Sequence, residues 1–193
     1  PTSSVGPIWH DDYNSRMTWQ SFTANGASYT GYASQFIGRI EMDTQPTART
    51  GYRRVGSETL ALSRSQYAAL RAWGQHNGRF VAVGVWQAGT LLMADNADGV
   101  TFRAFDVRGE FPRFWDDGRG VDVGRGFGST QLDELKSHSH GFRGTNISQI
   151  GTNSPLIGLN PSNTTASEPD IVQVTGGTET RPRNTAFSAM LKF

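Results

Sequence analysis

The clearest pattern in the chain is the alternation from Asn184 to Phe193, which puts Phe187, Ala189, Leu191 and Phe193 on one face. A period of two marks a β-strand, so the chain is predicted to end in a well-paired strand. Phe36 to Met42 alternates in the same way, with Phe36, Ile40 and Met42 on one face and Arg39 and Glu41 on the other. That reads as a half-buried strand. Between Ser65 and Gln75 the period changes. Tyr67, Ala69, Leu70 and Trp73 form an apolar stripe at helical spacing, with Ser63 or Ser65 as cap and Asn77-Gly78 as stop. Arg79 to Trp86 is apolar on both faces and is expected to be a buried strand. Thr90–Met93 and Val100–Phe105 read as further strands. Their connector, Asp95 to Gly99, lacks the offsets and distal Glu of a calcium loop and reads as a turn.

Three further stretches are distinguished by composition. Residues 1–58 are polar but carry Trp9, Tyr13, Trp19, Phe22, Tyr29, Tyr32 and Phe36, most of them expected in the core. Residues 109–128 alternate Gly with Arg and Asp. They lack the strand-before, helix-after context and the Lys-Ser/Thr of a phosphate loop, and a folded-back surface loop held by charge-assisted hydrogen bonds fits better. Residues 143–175 contain no Phe, Tyr or Trp and are rich in Asn, Thr, Ser, Gly and Pro. Such a stretch cannot form a packed core unaided and is expected to be a long loop excursion. The expected organisation is an aromatic-rich β region over residues 1–58 and a second region over 59–193 that contains the excursion. The fold class is mainly β with one short helix.

Composition narrows the function classes. With 193 residues the chain can bury a sizeable core. Lys plus Arg number 18 against 17 for Asp plus Glu, a net charge of +1 that gives no basic excess for a nucleic-acid backbone. Charged residues make up 18%, and the 23 glycines fit short strands joined by tight turns. There is no cysteine, hence no disulfide or thiol chemistry. No apolar run reaches the roughly 20 residues of a membrane span, and Pro1–Gly6 does not resemble a signal peptide. Since the chain starts without Met, it is expected to be the C-terminal piece of a longer protein.

One chemically suggestive motif remains, Ser137-His138-Ser139-His140. In an extended backbone the two imidazoles point the same way, which makes half a metal site. The other histidines are only His10 and His76, so the missing ligands would come from copies of the same chain. Three chains would complete an octahedral nitrogen shell suited to iron, nickel or cobalt rather than structural zinc. The competing reading is two solvated loop histidines.

Five motifs, in order, resemble the C-terminal head of bacteriophage tail fibres, the tail-collar-like fold of Mu-like and P2-like fibres and R-type pyocins. Leu62-Ser63-Arg64-Ser65-Gln66-Tyr67-Ala68-Ala69-Leu70 resembles the helix that opens that fold. Thr101 to Arg113 is similar to its strand and "Asp-Leu-Arg-Gly-x-Phe-x-Arg" turn, and Trp115 to Ser129 resembles the loop that follows. His138-Ser139-His140 falls where the fibres carry His-x-His, and Glu179 to Phe187 is similar to their closing "Glu-Thr-Arg-Pro-Arg-Asn" strand. The likeness covers residues 59–142 and 176–193; residues 1–58 and the central excursion have no counterpart.

The resemblance implies an intertwined homotrimer in which His138 and His140 of each chain bind one shared ion on the axis, iron(II) or another divalent transition metal. It implies a place at the fibre tip of the virion, synthesis in the bacterial host cytoplasm, and adsorption to lipopolysaccharide or another surface glycan. A tail-fibre assembly chaperone is a further implied partner; nucleic acid and membrane insertion are not. Candidate receptor-binding residues are Arg143, Asn146, Asn153, Asn160, Asn163 and Asp170 in the excursion, and Trp9 and Tyr13 near the start. The acids are scattered, with no nucleophile–base pair, so the chain is expected not to be an enzyme. The rival readings are a polysaccharide-cleaving fibre enzyme and a structural segment whose receptor binding is done by another adhesin.

Overall fold

A computed structural model describes residues 1–24, 27–135, 137, 180 and 182–193. The chain divides into two units, Pro1–Gln131 with Thr185–Phe193, and Leu132–Asn184. Of the second unit little is described; there, the Thr180 N–H donates to the Asp133 carboxylate at 3.2 Å.

The first unit is mainly β, with three small antiparallel sheets and one α-helix among the described residues. In the first sheet β1 (Ile8–His10) pairs with β2 (Ser15–Ala24), which forms a long hairpin with β3 (Ala27–Ser34). A 3-10 turn over Asp11–Tyr13 joins β1 to β2 and ends at Asn14 in left-handed backbone, which asparagine tolerates. In the second sheet the chain terminus, β9 (Ser188–Lys192), lies between β4 (Ile40–Asp43) and β5 (Tyr52–Arg54). The third orders β6 (Leu62–Ser63), β8 (Thr101–Arg103) and β7 (Ala94–Asp95).

The helix α1 (Ala68–His76) starts later than its apolar stripe predicts. No side chain caps the first turn; instead the Tyr67 N–H bonds to the Ser63 carbonyl and the Gln66 N–H to Ser63 Oγ. Tyr67 and Leu70 are buried as expected, and the helix stops at Asn77-Gly78, where Gly78 takes a positive φ. Leu70 and Ala72 join Met93, Phe102, Ala104 and Leu191 in one core. Burial of this apolar surface, at about 25 cal/mol per Å², is the main force holding such short strands together.

The strand predicted over 36–42 holds only in its second half. Gly38, at φ +80 with the Trp73 ring occupying the space a Cβ would need, makes a turn and passes its N–H to the Lys192 carbonyl. Alternation restarts after this break, and Met42 lies at an edge, 74% exposed. The buried strand predicted over 79–86 does not form. The Val85 and Trp86 N–H groups both turn back to the Ala82 carbonyl, which leaves Val83 and Val85 exposed; only Phe80 keeps a bridge, to Met93. The closing strand predicted from Asn184 forms only over Ser188–Lys192, with Phe187 outside it and 54% exposed, and its second half is buried on both faces. Met190 and Lys192 are as inaccessible as Leu191: Leu191 packs into the apolar core, while Lys192 is covered by the Tyr13 and Gly51 segments.

Candidate functional site

The turn motif after β8 is built on an ion pair. Arg108 grips the buried Asp106 carboxylate with two bonds of 2.8 and 2.7 Å, which holds that carboxyl below the ordinary carboxylate range. The following loop has no regular structure yet is closely tied. The Asp116 carboxylate accepts the N–H groups of Gly120, Val121 and Asp122 at 2.9, 2.8 and 3.1 Å. Arg125 spans the base, reaching Asp122 Oδ2 at 3.1 Å and the Ser129 carbonyl at 3.1 Å. The Trp115 indole N–H donates to the Arg125 carbonyl, and its ring meets Phe127 edge-on at 5.5 Å. This is the folded-back, hydrogen-bonded loop that the Gly-Arg-Asp pattern predicts. Its apolar side chains were not anticipated as a surface. Phe114 is fully exposed and Val123 is 84% exposed, with Phe111 and Val121 also open to solvent.

Asp95 to Gly99 is a turn, as predicted. Asp98 accepts the Val100 and Thr101 N–H groups at 2.9 and 2.8 Å, and the Thr101 hydroxyl donates to the same carboxylate.

Of the predicted receptor residues, Trp9 and Tyr13 are described. Trp9 stands out from β1, its indole N–H bonded to Asp11 at 2.8 Å. Tyr13 meets His10 and Phe193 edge-on at 5.0 and 5.5 Å, and forms one wall of a cleft of about 240 Å³. Tyr29, Phe193 and Gln66 line the same cleft, and Trp9 is not part of it. Sequence reasoning placed Tyr29 among core rings and Phe193 on a strand face. The signal for a cleft was Tyr29-Thr30-Gly31: with no side chain at Gly31, the Tyr29 ring folds back along its own strand, its hydroxyl 2.9 Å from where a Cβ would stand.

Behind Tyr13 lies Lys192, 1% exposed, whose ammonium donates to the Tyr13 carbonyl and, at 3.0 Å, to the Gly51 carbonyl. Burial pulls its pKa down to about 8, Arg49 adding to the effect and Glu41 opposing it. The sequence pattern gave no warning of a buried lysine here.

His138 and His140, with Arg143, Asn146, Asn153, Asn160, Asn163 and Asp170, lie outside the described residues. Among the described residues no group of three or more His, Asp or Glu side chains is placed to hold a metal ion, and no helix is long and apolar enough to cross a membrane.

No family model matches the chain, and no solved structure matches it. It is similar to StfE, an uncharacterized protein of Escherichia coli (strain K12), with 54% identity over 37 residues; the match covers 19% of this chain and 21% of StfE. It is also similar, along nearly its whole length, to protein RhiB of Rhizobium leguminosarum bv. viciae. That identity is 24% over 217 residues, covering 98% of this chain and 97% of RhiB.

Proposed function

We propose that the chain is the receptor-binding tip of a phage tail fibre, a tail-collar-like head that works as a homotrimer on the virion. The observation that carries this reading is the apolar surface of the loop after β8. The loop is held by its own hydrogen bonds, so it does not need Phe114 and Val123 for its shape, and yet it presents them to water. Exposed apolar groups on a rigid support are what an interface between copies requires. The ordered motifs of the fibre heads, from the helix to the strand that closes the chain, support the same reading.

His138 and His140 of each chain would hold one iron(II) or similar divalent ion on the axis, and that ion would cross-link the three subunits. The partner is a bacterial surface glycan, lipopolysaccharide first, and each subunit offers the same weak site. Repetition then converts weak contacts into firm attachment. Synthesis takes place in the host cytoplasm, with an assembly chaperone as a further partner, and no catalysis is assigned.

The test is sedimentation and metal analysis of the purified chain, followed by adsorption to cells. A trimer is expected, with a divalent metal that a strong chelator removes and with a lower melting temperature once it is gone. Because imidazoles bind metal only when neutral, the trimer should also loosen below about pH 6. Phe114→Ser with Val123→Ser should weaken self-association. A stable, metal-free single chain would refute the proposal, and release of fragments from purified polysaccharide would replace it with the enzyme reading.

A further inference from the structure

We infer that the cleft between Tyr13, Tyr29 and Phe193 is a subsite for a single neutral sugar ring. The inference rests on the receptor reading above and gives that reading a location on the described part of the chain.

The walls are aromatic and already in place. Tyr29 lies over Gly31, stacks near Phe22 at 6.5 Å and donates its hydroxyl proton to the Tyr32 carbonyl at 2.7 Å. Its proton is committed to that carbonyl, so the oxygen keeps only acceptor capacity. Burial, with Tyr13 as a smaller contributor, pushes that phenol above its ordinary range and keeps it neutral. Phe193 is braced edge-on by Tyr13 at 5.5 Å and Tyr67 at 5.0 Å. Lys192 fixes the backbone of Tyr13 from behind. Walls held this firmly lose little freedom when a ligand enters.

The chemistry of the lining selects the ligand. Its residues are mostly aromatic or aliphatic, Met17 and Ile37 included; Ser34 is bonded to Ser15, which leaves the hydroxyls of Tyr13 and Ser65 and the carboxamide of exposed Gln66 as polar groups for a ligand. None of its lining residues is charged, which disfavours phosphate, carboxylate or ammonium groups. A ligand that presents C–H groups on one face and hydroxyls at its edge satisfies both parts, and a pyranose ring has that character. A volume of about 240 Å³ falls below the roughly 300–1,000 Å³ of sites for larger organic ligands, which limits the occupant to about one ring.

Saturation-transfer NMR on the full chain tests this, with methyl glycosides of glucose, galactose and N-acetylglucosamine as probes and glucuronic acid as the charged counterpart. At least one neutral glycoside should bind, with a Kd on the order of 1 mM, and more tightly than glucuronic acid. Gln66→Ala removes the rim carboxamide, and Ala68→Leu fills the cleft from the start of α1. Both should weaken binding at least tenfold while sedimentation and melting stay those of the parent. Binding of no neutral glycoside, or binding untouched by both substitutions, overturns the subsite. So does footprinting that finds Tyr13 and Gln66 covered by a second copy in the assembly. Adsorption to cells, measured on the same samples, separates the two proposals. Adsorption unchanged in both variants overturns the subsite and leaves the receptor reading standing. Cleft-dependent sugar binding by a chain that adsorbs to no cell supports the subsite and overturns only its place on a fibre tip.

Discussion

Replacing Lys192 by methionine should change how stability depends on pH more than stability itself. Lys192 lies on β9, and its ammonium stands near the rings of Tyr52 and Phe193 at 4.7 and 5.9 Å and donates to two backbone carbonyls. Its pKa falls from 10.5 to about 8 on folding, chiefly through burial. Between those values the unfolded chain binds a proton that the folded chain does not, so stability rises with pH over that interval. The full gap corresponds to about 3 kcal/mol, an upper limit, because the carbonyl bonds favour the charged form. A gain of roughly 1–2 kcal/mol is expected after that offset. In Lys192→Met the gain disappears, and the Tyr13 and Gly51 carbonyls lose their donor at a cost of about 1–3 kcal/mol. Near pH 7 the loss of the donor and the relief of a buried charge oppose each other, so the two proteins should differ little. By pH 9.5 the variant should be clearly weaker. Urea midpoints from pH 7 to 9.5 check this. Tyr29 and Tyr52, both held above the ordinary phenol range, are present in both proteins, so the difference between them isolates Lys192. Parallel curves would refute the reasoning.

Gly51→Ala attacks the same junction from the other side. At φ +79 an added Cβ would lie 2.0 Å from the Tyr13 carbonyl and 2.5 Å from Lys192 Nζ, so a loss of about 2 kcal/mol or more is expected in urea unfolding. Asp116→Ala removes the acceptor of three loop N–H groups, and limited proteolysis should then cut within 118–123 while the β-rich circular dichroism stays the same. The bond from the Gly120 N–H, with those from Val121 and Asp122, holds the Asp116 carboxyl below its ordinary range. In the parent chain the loop should therefore stay closed through the ordinary carboxylate range and open only as pH falls through the lowered pKa. Early opening would count against the cage.

Local patterns were enough for local elements. The stripe of Tyr67, Leu70 and Trp73 places the helix, and the Asn77-Gly78 stop is where the helix ends. Asp98 makes its turn because a short carboxylate bonds the N–H groups just beyond it, a contact needing no partner from afar. The Gly-Arg-Asp loop closes on itself in the same way. Where an element needed a distant partner, the pattern misled. Residues 79–86 have the composition of a buried strand, but beyond the Phe80–Met93 bridge the backbone turns back on the Ala82 carbonyl instead of pairing. The cleft was legible only in fragments, because its walls come from a 3-10 turn, a hairpin and the last residue of the chain.

The amino-acid order by itself determined a mainly β chain with one helix, the hydrogen-bonded glycine loop and a terminal strand, since each follows from periodicity or from bonds between near neighbours. Tertiary structure decided that the terminal strand would lie between β4 and β5, which buries Lys192 among backbone carbonyls and brings Phe193 up to Tyr13. Burial and proximity are properties of residues far apart in the chain, and only the folded packing sets them.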